Sequence, residues 1–383
     1  MSENKLIIAA AGSGKTTHLV EKALSCSESN VLILTYTLSN EASIKANIRH
    51  HANCIPKNIT VQTWFSFLLQ HGVKPYQGSL DESLFDQDIR GMIFVTTQSA
   101  VRYQGRFAPV CWKETEHFHK HYFTDNRDIY SDKISKFTVK CNEKSGNAVV
   151  DRLAEIYDLI CIDEIQDLAG YDLNLIMLLF KSSASILLVG DPRQVTYLTH
   201  IENKFKKYRN GRIKDFVESK DCRGTQCEVD ETTLSVSHRN NLAICEYSSR
   251  LYSEFSNTLP CTCCREHVTN HEGVFLLKPD DVDAYTKEYD VIQLRWNSRK
   301  QVHVDMPVMN FGESKGHTFD RVLIYPTDKM IEWITDNEYK LSDGARAKFY
   351  VALTRAKHSV AIVMNYNTGI EYQGVTKLED LSE

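Results

Sequence analysis

A short stretch near the N-terminus constrains this chain more than any other. Lys5-Leu6-Ile7-Ile8-Ala9 is an apolar, strand-forming run. Ala10-Ala11-Gly12-Ser13-Gly14-Lys15-Thr16 follows, and Leu19, Val20, Ala23 and Leu24 then recur at helical spacing. Strand, glycine-rich turn and helix, in that order, form the setting of a phosphate-binding loop. Gly12 and Gly14 let backbone N–H groups turn toward an anion, and the helix N-terminus adds positive potential. The candidate nucleotide contacts are therefore Ala11, Gly12, Ser13, Gly14, Lys15, Thr16 and Thr17. Lys15 is placed to reach the outer phosphates of a triphosphate such as ATP, and the Thr16 hydroxyl to hold Mg²⁺. Ala9 stands where the usual pattern has its first glycine. The competing reading is an ordinary strand–turn–helix junction.

A triphosphate site of this kind also needs a carboxylate for the metal and a group that activates water. Tyr157-Asp158-Leu159-Ile160-Cys161-Ile162 reads as a buried strand, and Asp163-Glu164-Ile165-Gln166-Asp167 follows it. Asp163, at the strand's C-terminal end, suits a Mg²⁺ contact. Glu164 is placed to orient and deprotonate the attacking water. The alternative is a charged loop after a core strand.

Composition narrows the class. A chain of 383 residues is long enough for two or three domains, and its 42% hydrophobic and 25% charged content is that of a globular protein. No apolar run reaches the ~18 residues of a membrane span. The N-terminal Met1–Lys5 leads straight into the first strand, so no signal peptide is expected. Eleven cysteines are too few for a disulfide scaffold, and the number is odd. Together these predict a reduced, cytoplasmic protein. With a net charge of −5, contact with nucleic acid must come from a local basic track.

Further motifs appear in order along the chain. Asp163-Glu164-x-Gln166-Asp167, Val189-Gly190-Asp191-Pro192-Arg193-Gln194 with Tyr197, and Tyr350-Val351-Ala352-Leu353-Thr354-Arg355-Ala356-Lys357 resemble motifs II, III and VI of superfamily 1 helicases of the UvrD/Rep type. Thr35-Tyr36-Thr37 through Asn40 and Val61–Phe67 resemble that family's DNA-side motifs. Leu294–Ser298 is similar to its motif IVa strand, and Ser314–Asp320 to motif V. The resemblance implies an α/β fold of two RecA-like P-loop lobes, each a parallel sheet flanked by helices. The first lobe would be residues 1–230, with a small helical insertion at about 77–150. The second would be residues 231–383, with a much reduced insertion at about 250–290. It also implies that Lys15, Asp163, Glu164, Gln194, Arg239 and Arg355 carry ATP hydrolysis, the two arginines stabilising charge on the γ-phosphate.

Departures from the family pattern bear on specificity. The upstream glutamine motif that reads adenine has no counterpart ahead of the first strand. The adenine-stacking tyrosine falls at His238, and the ribose-binding glutamate of motif V at Thr318. Relaxed nucleobase selectivity is the expectation. On the DNA side, Tyr36, Trp64, Phe65 and Tyr197 are the candidate contacts, with core packing the competing reading for Trp64 and Phe65. The family's aromatic after the motif III tyrosine falls at Thr199, and its motif V histidine at Gly312. Unwinding is therefore less firmly implied than hydrolysis.

Three local readings complete the pass. Asp81–Val95 and Val149–Tyr157 have helical spacing. Lys204, Lys206, Lys207, Arg209, Arg212 and Lys214 are interleaved with Phe205 and Tyr208, which suits contact with phosphates, Lys206 and Lys207 above all; a solvated face is the alternative. Cys222, Cys227, Cys261, Cys263, Cys264, His267 and His271 crowd one stretch, but Cys-x-Cys-Cys is not a clean zinc-knuckle spacing. Reduced, partly buried thiols are favoured over zinc.

The leading expectation is a DNA-dependent ATPase translocating 3′→5′ on single-stranded DNA. The alternative is a regulatory ATPase subunit that senses DNA ends and controls a partner nuclease. Compact chains of this appearance resemble the helicase-like subunits of anti-phage systems such as Gabija, where the partner is an OLD-family nuclease. A small-molecule P-loop kinase is disfavoured, because it needs neither the Arg355 motif nor Asp163-Glu164-x-Gln166-Asp167.

Overall fold

Val31-Leu-Ile-Leu-Thr35 is buried at every position. A strand with no solvent-facing side needs cover on both faces, which is the situation of a parallel sheet between layers of helices. The computed structural model, which describes residues 3–106, 108–197, 199, 203–263, 269–304 and 306–378, has this architecture twice. The chain divides into two units. One comprises Met1–Ile7, Thr16–Gly190 and Leu198–Asp230; the other comprises Ile8–Lys15, Asp191–Tyr197 and Glu231–Glu383.

The first unit is built on β1 (Asn4–Ile8), β2 (Val31–Thr35), β3 (Ile59–Thr63), β4 (Leu159–Ile162), β5 (Ser185–Gly190) and β6 (Glu228–Asp230). Their order across the sheet is β6-β1-β5-β4-β2-β3. Register is set by buried pairs such as Ile33 opposite both Val61 and Cys161. Helix α1 (Lys15–Ser25) buries Leu19, Val20 and Ala23. Helix α2 (Leu38–Ala52) is started by the Thr37 hydroxyl, which accepts the Asn40 amide.

Between β3 and β4 the chain is mixed rather than purely helical, as was expected of an insertion at about 77–150. It carries α3 (Ile134–Lys144) and α4 (Ala148–Ile156), but also two small ribbons, Gly91–Ile93 with Asp128–Tyr130 and Val101–Gln104 with Pro109–Cys111. The helical spacing over Val149–Tyr157 is realised in α4. That over Asp81–Val95 is not: a single turn at Glu82–Leu84 gives way to the strand at Gly91. Gln77 explains why, since its amide donates to the carbonyls of Leu84 and Gln87, which a helix would have claimed for itself. Helix α5 (Tyr171–Leu179) follows β4.

The second unit contains α6 (Leu242–Ser249), β7 (Gly273–Leu277), α7 (Val282–Glu288), β8 (Ile292–Arg295), β9 (Val308–Asn310), β10 (Phe319–Tyr325), α8 (Asp328–Thr335), α9 (Asp343–Leu353), β11 (Ala356–Val363) and β12 (Thr376–Lys377). The strands pair in parallel in the order β9-β8-β10-β11-β7-β12. One apolar cluster gathers Ile244, Tyr247, Trp333 and Phe349 on one face; another gathers Val282, Tyr285 and Val291 on the other. Residues 273–288, inside the stretch expected to be an insertion, are a sheet strand and its covering helix.

Candidate nucleotide site and nucleic-acid surface

The loop after β1 turns through two left-handed glycines, Gly12 at φ +73° and Gly14 at φ +81°. Gly12 is also required by close approach. A β-carbon there would lie 2.6 Å from Arg239 Cβ and 2.8 Å from Ser237 Oγ. The His238 amide donates to the Gly12 carbonyl at 2.8 Å, and the Ala10 amide to the Leu234 carbonyl at 2.7 Å. The phosphate-loop residues Ala11, Gly12, Ser13 and Gly14 thus sit against the segment carrying His238 and Arg239. Ser13 Oγ is buried with no hydrogen-bond partner among the described residues, which fits a donor kept for a phosphate oxygen. Lys15, Thr16 and Thr17 open α1 and are half-buried.

In the first unit, the Asp163 amide donates to the Leu34 carbonyl at 2.8 Å, which fixes Asp163 just beyond β4. Glu164 adopts φ +54°, a conformation that costs energy for a residue with a side chain. It is held there by its amide on Asp163 Oδ1, at 2.9 Å, and by Gln166 Nε2 donating to its carboxylate. A β-carbon at Gly190 would fall 2.3 Å from Gln166 Oε1. The smallness of Gly190 therefore makes room for the Glu164–Gln166 pair. Thr16 and Asp163, the candidate metal-binding residues, both belong to this unit.

The residues after β5 form a buried network in the second unit. Asp191 accepts Arg193 Nε on one oxygen and Gln194 Nε2 on the other, both at 2.8 Å. Gln194 Oε1 in turn accepts Arg355 Nη2 at 3.1 Å. Arg355 also donates to the carbonyls of Val351 and His317. Burial alone would disfavour charge on Arg193, but the Asp191 carboxylate outweighs it and raises the guanidinium above its ordinary value. Arg239 Nη1 donates to the Thr354 carbonyl at 3.1 Å, one residue before Arg355. Gln194, Arg239 and Arg355, singled out separately along the chain, are thus brought together with the phosphate loop. Asp191, Arg193 and Tyr350, whose hydroxyl reaches Asp191, went unassigned in the sequence reading although they stand inside quoted motifs.

The nucleic-acid candidates separate. Trp64 is 1% exposed, and its indole N–H donates to Asp172 at 2.7 Å. Its expected role as a base-stacking residue is corrected: the ring is core, sited there because buried Asp172 needs donors. The Ser135 and Thr199 hydroxyls and the Ala169 amide also donate to it. Phe65 is nearly buried but bridges the half-exposed Tyr36, with ring centroids 5.5 Å apart, to the exposed Phe94, at 6.1 Å. Phe94 lies in the insertion and had no sequence signal beyond its aromaticity. Tyr36, Trp64 and Asp163 line one shallow depression. Tyr197 is 48% exposed, and a β-carbon on Gly312 would meet its hydroxyl at 2.6 Å, so Gly312 is the space in which that ring rests.

Lys206 and Lys207 are both exposed, and Lys207 pairs with Asp221 at 2.9 Å. The cysteine-rich stretch divides: Cys222 and Cys227 belong to the first unit, Cys261 and Cys263 to the second. His271 is stacked between Phe275 and Tyr289 and reaches the Tyr285 hydroxyl. Cys264 and His267 lie outside the described residues, as does most of the acidic C-terminal end.

Two parallel α/β sheets, a glycine-rich phosphate loop and a post-strand Asp-Glu pair define a P-loop nucleoside triphosphatase class. The family comparisons are narrower. Residues 1–200 match the AAA domain model, and residues 132–364 match the viral superfamily 1 RNA helicase core domain model. The chain belongs to the superfamily 1 helicases. No curated protein matches it.

Among solved structures, it is similar to the arterivirus nonstructural protein 10 helicase, at 14% identity and TM-score 0.47, covering 96% of this chain and 60% of that one. The complex of that helicase with DNA gives 14% and 0.46, over 96% and 62%. The PRRSV helicase gives 14% and 0.43, over 94% and 52%. The chain thus spans roughly half to three-fifths of the length of these helicases. No described helix is long and apolar enough to cross a membrane.

Proposed function

We propose that this chain is an ATP-driven translocase of the UvrD/Rep type, moving 3′→5′ on single-stranded DNA. The observation that carries the reading is the hydrogen-bonded run from Gln194 to Arg355, beside the contact of Gly12 with Arg239. In this reading, Lys15 and the loop amides hold the phosphates, and Thr16 and Asp163 hold Mg²⁺. Glu164 takes the proton of the attacking water, while Arg239 and Arg355 offset charge developing on the γ-phosphate. Gln194, sharing Asp191 with Arg193, reports the state of the phosphates to Arg355. Tyr36, Phe65 and Phe94 stack on bases, and Tyr197 and Lys206 add a second contact.

The test compares ATPase with and without single-stranded DNA in the wild type, Lys15→Ala and Arg355→Ala. Strong stimulation that both substitutions abolish supports the motor. Unstimulated hydrolysis, or activity surviving Lys15→Ala, would overturn it. A forked-duplex assay beside it separates strand separation from the alternative, a regulatory ATPase subunit of an anti-phage system that senses DNA ends and governs an OLD-family nuclease. Stimulated ATPase without unwinding favours that subunit. The match to a viral RNA helicase core model favours one further arm, in which single-stranded RNA replaces DNA.

Nucleobase selectivity is weak in this reading, because His238 and Thr318 stand where relatives contact base and sugar. With lost contacts contributing about 1 kcal/mol each, GTP and CTP are hydrolysed within about tenfold of ATP. Values of kcat/KM for four nucleotides check this, and strict ATP preference would refute it.

A further inference from the structure

Val236–Ser237 pairs in parallel with Leu259–Pro260, with Ser237 opposite Pro260. The Cys261 amide continues the ladder by donating to the Ser237 carbonyl at 2.8 Å. His238 and Cys261 therefore leave the ribbon side by side. Cys263, two residues on, brings its Sγ to 3.7 Å from His238 Nδ1. The three ligand atoms of His238, Cys261 and Cys263 all lie within 4.8 Å of one another.

This spacing has a chemical meaning. Around a tetrahedral zinc ion, with Zn–S near 2.3 Å and Zn–N near 2.0 Å, neighbouring sulfur and nitrogen atoms are separated by about 3.5 Å and two sulfurs by about 3.8 Å. Two thiolates and an imidazole are also the donor set that prefers zinc to magnesium or calcium. From these observations we infer that His238, Cys261 and Cys263 supply three ligands of a zinc site. The sequence alone placed Cys261 and Cys263 in a wider group with Cys222, Cys227, Cys264, His267 and His271 and left out His238, because His238 is 23 residues from Cys261 and is joined to it by the ribbon.

The site's position gives it a consequence. His238 immediately precedes Arg239, and its amide is bonded to Gly12. Zinc there ties the segment from Leu259 to Cys263 to the turn presenting Arg239 and so limits where that guanidinium can point. The His238 imidazole would be held at Nδ1. The inference rests on the ligand geometry and stands apart from the motor reading.

The experiment uses the full chain expressed in zinc-supplemented medium and purified without chelator. Elemental analysis is expected to find about one zinc per chain that survives dialysis. The metal-free protein titrated with Co²⁺ is expected to develop a thiolate-to-cobalt charge-transfer band with tetrahedral d–d absorption. Zinc and band are both lost in Cys263→Ser, whose parent residue is exposed, and kept in Cys54→Ser. In the unmodified chain, zinc slows alkylation of Cys263 but not of Cys54, a readout that needs no variant to fold. Absence of zinc and of the cobalt band, a band that persists in Cys263→Ser, zinc removed by dialysis, or equal alkylation of the two cysteines would each overturn the site.

Discussion

The adjacent buried aromatics Trp64 and Phe65 have different neighbours, and the reason lies in their polar handles. Trp64 has an N–H that must be satisfied when buried, and Asp172 provides for it; Phe65 has none and can sit at the edge of the core beside Tyr36 and Phe94. Paired substitutions separate the roles. Trp64→Phe removes the indole donor to a buried carboxylate and is expected to cost about 1.5–3 kcal/mol of stability, with no change in affinity for single strands. Phe94→Ala is expected to leave the melting temperature near that of the wild type and to weaken binding by about 1–3 kcal/mol. Thermal melts and fluorescence titrations with oligonucleotides check both; weakened binding in Trp64→Phe without loss of stability would return that ring to the surface. Glu164 shows the same economy on the backbone. Its left-handed conformation is held by Asp163 and Gln166, a neighbour in the chain and one two residues on.

Elements in the insertion are joined by charge as well as by buried aromatic residues such as Tyr122 and Phe137. Glu114 accepts Lys136 at 2.8 Å and Lys140 at 3.1 Å, both on α3, and the Tyr122 hydroxyl at 2.8 Å. Burial would push its carboxyl up, but Lys136, Tyr122 and Lys140 outweigh it and hold the value down at about 2. Because the folded value lies below the unfolded one, ~4.3, this contribution is complete above that pH. It is lost as the pH falls toward about 2. Glu114→Gln is expected to lower the melting temperature at pH 7 and to remove that part of the acid loss, which melts at pH 7, 5 and 3 would show. An unchanged melting temperature at pH 7 would rule out this tie.

Salt dependence tests a second element. Lys206 and Lys207 are both exposed, and Lys207 is engaged by Asp221 and lies over the Tyr208 ring at 4.6 Å. Reversing both charges is expected to flatten the slope of log affinity against log salt by about one to two units. Lys206→Glu should account for more of the change than Lys207→Glu. An unaltered slope would remove this turn from the nucleic-acid path.

At the scale of the whole molecule, a chain of net charge −5 has no general attraction for a polyanion. In the proposed function, affinity for nucleic acid comes from a few stacked aromatics and few phosphate contacts, and the overall salt slope is expected to be shallow. The two parallel sheets place their loops at strand ends, where open α/β sheets present ligand sites. Asp163 follows β4, Asp191 follows β5 and the phosphate loop follows β1. The strand order, with β1 between β5 and β6 and β4 beside β5, sets those three ends along neighbouring strands. A strand-separation assay and a stimulated-ATPase assay read this level directly, as set out above for the proposed function.

What sequence alone determined here was local. Uninterrupted aliphatic runs of four to six residues, such as β2, β4 and β5, specify buried parallel strands, and two glycines before Lys15 specify a phosphate turn. The helical spacing over Val149–Tyr157 was legible because the residues it buries lie on one face of one helix. Tertiary structure decided whatever depends on groups distant along the chain. Trp64 went inward to Asp172, 108 residues away. Gln194 met Arg355 across 161 residues, and His238 met Cys261 through a ribbon two residues long. Periodicity records which face of an element avoids water, but it carries no record of which buried donor will meet which acceptor. That pairing is settled only when the sheets assemble and every buried polar group must find a partner.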